Sequence, residues 1–109
     1  MNISAYGVDR ETGLPCIGKG DGETLDYPFD FTDFLTDIDD TIAVAPGSVT
    51  YTLTGGITLV SQQNNTLVAS PLISGGVAGT KCRVTCTITT EAGRVVERSI
   101  VLNIKEYMS

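Results

Sequence analysis

Residues 81–104 alternate with a period that only a β-strand can use. Cys82, Val84, Cys86 and Ile88 share one parity, while Lys81, Arg83, Thr85, Thr87 and Thr89 share the other. Successive side chains of a strand point to opposite faces, so the first set is assigned to a core and the second to solvent. A second run places Val96, Ile100, Leu102 and Ile104 on one parity, with Arg98 as its odd member. Between the two lies Thr90-Glu91-Ala92-Gly93, a tight connection in which Gly93 is free to take a left-handed conformation. The segment is read as one long C-terminal antiparallel hairpin.

The rest of the chain is punctuated in the same way. Leu25, Tyr27, Phe29 and Phe31 alternate with Asp26, Pro28 and Asp30. Pro28 lacks a ladder donor, so this strand belongs at an edge or carries a bulge. Thr32-Asp33-Phe34-Leu35 reads as a short helical turn with Thr32 as its cap. Further short strands are expected at residues 41–45, 49–53, 57–61 and 66–72. The breaks between them are Pro46-Gly47, Gly55-Gly56 and Gln62-Gln63-Asn64-Asn65, each rich in turn formers. A small-residue loop, Ser74-Gly75-Gly76-Val77-Ala78-Gly79-Thr80, leads into the hairpin. About seven short strands and no helix-period segment predict an all-β fold, an immunoglobulin-like antiparallel β-sandwich.

A chain of 109 residues is long enough for one core and not two. With four Tyr, three Phe and no Trp, that core must be largely aliphatic. Residues 1–24 hold Gly7, Gly13, Gly18, Gly20, Gly22 and Pro15 without hydrophobic periodicity. They are read as an extended Gly-rich acidic arm, with the sandwich occupying residues 25–109. Fully extended, the arm reaches roughly 80 Å, and ordering against a partner on assembly is expected of it. No apolar run approaches the ~20 residues of a membrane span. The first residues lack the basic and apolar stretches of a secretory signal, so folding in a cytoplasm is expected.

The net charge of −6 is unevenly spread. Residues 1–40 carry ten acids against Arg10 and Lys19, whereas residues 41–109 carry three acids against five bases. An acidic chain repels phosphate backbones, so nucleic acid is not an expected partner. The asymmetry allows the acidic part to dock on a basic surface of its own core or of a neighbour; plain solubility is the simpler explanation. Lys81, Arg83, Arg94 and Arg98 admit two readings. They pair across strands with Glu91 or Glu97 on a solvated sheet, or they form a basic stripe that receives an acidic segment of an adjacent subunit. The candidate partner-contact residues are therefore Lys81, Arg83, Arg94 and Arg98, together with Asp37, Asp39 and Asp40.

Other motifs carry less. Gly13-Leu14-Pro15-Cys16-Ile17-Gly18-Lys19-Gly20 nearly spells a phosphate-binding loop, but Gly20 stands where magnesium binding needs a hydroxyl, and acidic residues follow. Cys82 and Cys86 lie four residues apart on one strand, about 13 Å between Cα atoms, beyond the ~7 Å that a disulfide spans. Both are read as small buried hydrophobes, and Cys16 as an isolated thiol in the arm. With no His, neither a Cys–His nucleophile nor a Cys/His zinc site can form. Asp30, Asp33, Asp37, Asp39 and Asp40 are the only plausible cation ligands, yet their spacing is not that of a calcium loop. No cofactor and no enzymatic activity are expected.

Two stretches resemble a known family. One is Leu25-Asp26-Tyr27-Pro28-Phe29-Asp30-Phe31 with Phe34-Leu35 and Asp40-Thr41-Ile42. The other runs from Ser74-Gly75-Gly76-Val77-Ala78-Gly79-Thr80 through Val84, Cys86-Thr87-Ile88-Thr89-Thr90 and Ala92-Gly93-Arg94 to Arg98-Ser99. Together, over roughly residues 25–104, they resemble small tailed-bacteriophage virion proteins of the phage fiber–tail adaptor type. Members often have Trp where this chain has Phe31 and Phe34. The resemblance implies a non-enzymatic structural component of the virion. It would be an Ig-like domain in many symmetric copies that contacts tail, fibre or capsid subunits. A capsid decoration protein and a host-surface or glycan-binding module are the alternatives; the lack of Trp argues against sugar stacking.

Overall fold

The computed structural model describes residues 7–8 and 15–106. In chain order the strands are β1 (Gly7–Val8), β2 (Pro15–Gly20), β3 (Leu25–Asp26), β4 (Phe29–Asp30), β5 (Val49–Leu53), β6 (Ile57–Asn64), β7 (Val68–Gly75), β8 (Lys81–Thr89) and β9 (Val95–Lys105), with one helix, α1 (Thr32–Asp37), after β4. They form the expected all-β sandwich of two sheets. The first sheet has the order β1-β2-β9-β8-β5. In the second, β3 and β4 lie on one side of β7 and β6 on the other.

The C-terminal hairpin is its spine. β8 and β9 pair antiparallel with Cys82 opposite Leu102, Val84 opposite Ile100 and Ile88 opposite Val96. All six are buried, as the period-two pattern requires. Gly93 takes φ +86 in the connecting turn. The core fills the space between the sheets with Phe29, Phe31, Leu35 and Ile73 on one side and Val84, Cys86, Ile88, Ile100, Leu102 and Ile104 on the other. Each such side chain contributes about 1.5–3 kcal/mol by leaving water.

Several local expectations are corrected. Pro15–Gly20 is not arm: it is a strand, paired parallel to β9 with Cys16 opposite Val101 and Lys19 opposite Ile104. Gly18 and Gly20 have no side chains to show the alternation, and the partner lies over eighty positions away, so the pattern is invisible locally. Cys16 accordingly sits half-buried in a sheet. The remainder of the expected arm, residues 1–6 and 9–14, lies outside the described residues.

Thr32 does not cap α1 but is its first residue. Asp30 does the work, its Oδ1 accepting from the Thr32 N–H at 2.9 Å and from its hydroxyl. The strand around Pro28 splits into β3 and β4, both on the free side of β7, as a missing donor at an edge demands. β6 continues through Gln62 and Gln63 to Asn64. The turn comes later, where Asn65 Oδ1 accepts from Leu67 and Val68 N–H groups at 2.8 and 2.7 Å.

No strand forms at 41–45. Ile42 makes a single bridge to Thr90. Ala43 N–H then donates to Thr89 O, while Thr89 N–H donates to Ser48 O. The chain thus leaves and rejoins the ladder at one residue, and residues 44–47 are extruded from the edge.

Candidate interaction surface

The four basic residues do not form one stripe. Lys81 and Arg83 project from the outer face at the start of β8, both exposed. Arg98 lies on the opposite, core-facing parity, across from Cys86. Its guanidinium stacks over the Phe34 ring, 5.2 Å from the centroid, and donates to Glu97 O at 2.8 Å. A cation resting on an aromatic face at the rim of the core explains the odd member of the β9 pattern.

Arg94 belongs to a third place, the turn before β9. Its Nη1 meets Asp40 Oδ2 at 2.7 Å. Asp40 Oδ1 accepts from Thr41 N–H at 2.9 Å and from Ala92 N–H at 3.3 Å. Thr90 donates to the same carboxylate through its hydroxyl and accepts from Arg94 N–H at 3.0 Å. The Thr90 hydrogen bond, then those from Arg94 and the two backbone amides, hold the Asp40 carboxyl down at about 2. Asp40 thus ties the hairpin turn to the segment after α1, an internal role. Asp37 ends α1 and Asp39 follows at φ +53; both are exposed. The hub joins residues 54 positions apart, and no spacing rule signals it. Among the described residues no three metal-ligating side chains converge.

Lys19 was singled out only as part of a false phosphate loop. Its side chain is fully buried, and its ammonium donates to Gly75 O at 2.6 Å and Gly20 O at 2.8 Å. Gly75 ends β7, so this lysine clasps the second sheet to the first. Burial pushes its pKa down, while the Glu23 and Asp21 carboxylates oppose that shift. The Lys19 aliphatic stem suits the core parity of β2, and its polar end finds carbonyls at the sandwich rim.

The extruded loop is braced by hydrogen bonds although its tip is apolar. Val44 N–H donates to Glu91 Oε1 at 3.0 Å, and the Ser48 hydroxyl and N–H both bond to Ala45 O. Val44 is nevertheless 83% exposed, the most exposed large hydrophobic side chain among the described residues. Beside it opens a cleft of about 550 Å³ lined by the loop, Gln62, Asn64, Asn65 and Thr66. A preorganised apolar tip beside an amide-lined cleft is suited to protein contact.

The polar side chains described above hold loops and sheets together. The family described as podophage GP4 fiber-tail adaptor protein gp77 matches residues 19–103, and the chain belongs to this family. The match starts at the clasp Lys19, earlier than the resemblance read from the sequence. It makes the chain a phage structural protein and a virion component. No curated protein matches the chain.

Proposed function

We propose that this protein bridges the tail or neck of a tailed-phage particle to a fibre or an adjacent subunit, through protein–protein contacts and without catalysis. The family match over residues 19–103 carries this reading. The surface supports it: Lys81 and Arg83 are exposed on one outer face, and Asp37 and Asp39 on the segment after β4. In this reading Lys81 and Arg83 receive an acidic segment of a neighbour, and Asp37 and Asp39 a basic one. Arg94, Arg98 and Asp40 shape the domain instead. The protein acts in several copies, assembled in the host cytoplasm, with neither nucleic acid nor membrane as partner.

The test is stoichiometry. Quantitative mass spectrometry on intact particles and separated tails should find the protein with the tails, at low copy number. Abundance that scales with the major capsid protein would overturn the adaptor role in favour of capsid decoration. Retention of a Lys81→Glu, Arg83→Glu variant in particles at wild-type level would remove those two residues from the contact.

A further inference from the structure

Every one of the thirteen acids and seven bases lies outside residues 41–80. That uncharged run supplies β5, β6, β7, the extruded loop and the cleft. The second sheet shows what is unusual about it. Its β3–β4 edge is broken at Tyr27-Pro28 and carries Asp26 and Asp30, devices that discourage pairing with another chain. Its other edge, β6, runs eight residues with no charge and no proline, and among the described residues it pairs only with β7. One bulge at Val60 interrupts it, leaving Ser61–Asn64 as a regular run in steady register with Leu72, Pro71, Ser70 and Ala69.

Charge selects the occupant of this edge. Two copies of a −6 protein repel overall, most strongly through residues 1–40, which hold ten of the thirteen acids. The surface built from residues 41–80 is the one on which a copy meets its own kind without like charges. We propose that the β6 edge pairs antiparallel with the β6 edge of a second copy across a two-fold axis. Pro71, opposite Gln62, turns its carbonyl to Tyr27 N–H on the far side of β7, so the Gln62 backbone groups face the free edge. The axis passes beside Gln62, so Gln62 of each copy faces Gln62 of the other, and Ser61 faces Gln63. An isologous contact of this kind closes at the dimer. Val44 and Gln62 line the same cleft, so the exposed apolar tip lies beside the paired edge. This deepens the multi-copy part of the adaptor reading by naming the surface that joins copies.

Sedimentation of the purified full chain across the micromolar range should show a monomer–dimer equilibrium. Ser61 and Gln63 are exposed, so their replacement leaves the core untouched, which a thermal melt verifies. Ser61→Lys with Gln63→Lys puts like charges opposite twice and should weaken the dimer about tenfold. Ser61→Lys with Gln63→Glu puts opposite charges face to face twice and should restore it. A monomer at all concentrations, a dimer indifferent to the paired lysines, or open-ended growth would each overturn the proposal. A monomeric protein still found in tails would refute the pairing and leave the bridging role standing.

Discussion

Shortening Lys19 tests whether β2 is an integral strand or a strip laid against the domain. The side chain is fully buried and makes two hydrogen bonds to carbonyls of different elements. Lys19→Met keeps most of the stem and removes the ammonium. Two carbonyls lose a charged donor, at about 1–3 kcal/mol each, while the desolvation cost of a buried charge is relieved, so the net loss should be about 1–2 kcal/mol. Lys19→Ala also removes three methylenes, about 0.8 kcal/mol apiece, for a total of about 3–5 kcal/mol. Urea denaturation at neutral pH reads both. The pH dependence adds a second signature. The folded-state pKa of Lys19 lies below the 10.5 of the free side chain. Between those values the unfolded chain binds more protons, so wild-type stability gains on the Met variant as pH rises through that window. A loss below about 1 kcal/mol for Lys19→Ala would refute the clasp, as would parallel pH profiles for wild type and Lys19→Met.

Two further outcomes follow from geometry. Gly75 and Gly93 both have left-handed backbones, φ +81 and +86. A Cβ on Gly75 would lie 2.9 Å from Gly56 O, whereas one on Gly93 meets nothing within 4 Å. Thermal melts should therefore show Gly93→Ala costing about 1–2 kcal/mol and Gly75→Ala clearly more; equal losses would contradict the close approach at β7. Asp40→Asn should lower the melting temperature at neutral pH. Because the folded pKa is held at about 2 against 3.8 unfolded, this stabilisation is complete above 3.8 and lost as pH falls through 2. The gap between wild type and variant should close over that range in an acid titration followed by circular dichroism.

What could be read from the sequence alone was what the chain encodes locally. Cys82 to Ile88 and Val96 to Ile104 announce the hairpin because every second side chain except Arg98 is buried. Pro28 announces its edge through a missing donor. By contrast, β2 owes its place to a parallel partner far along the chain, and glycines erase its alternation. The segment 41–45 has strand-like composition, yet Thr89 alone takes both ends of its loop, which no local pattern encodes. The basic residues were visible and their grouping was not. Arg98 was marked by parity, but only the fold reveals Phe34 beneath it, and only the fold brings Asp40 to Arg94. The β6 edge is marked by an absence of charge, a signal spread over residues 41–80 rather than held in any motif.

The parallel pairing of β2 with β9 also decides how the domain bears load. β2 enters at Pro15 near Val101, and β9 leaves at Lys105 beside Gly20. A pull on Pro15 and Lys105 in opposite directions drags the two strands lengthwise past each other. All the hydrogen bonds between them are then strained together instead of opening one after another from an end. The Lys19 clasp anchors the same strand to the second sheet. Under the proposed bridging role, tension applied through these two ends would meet the domain in shear.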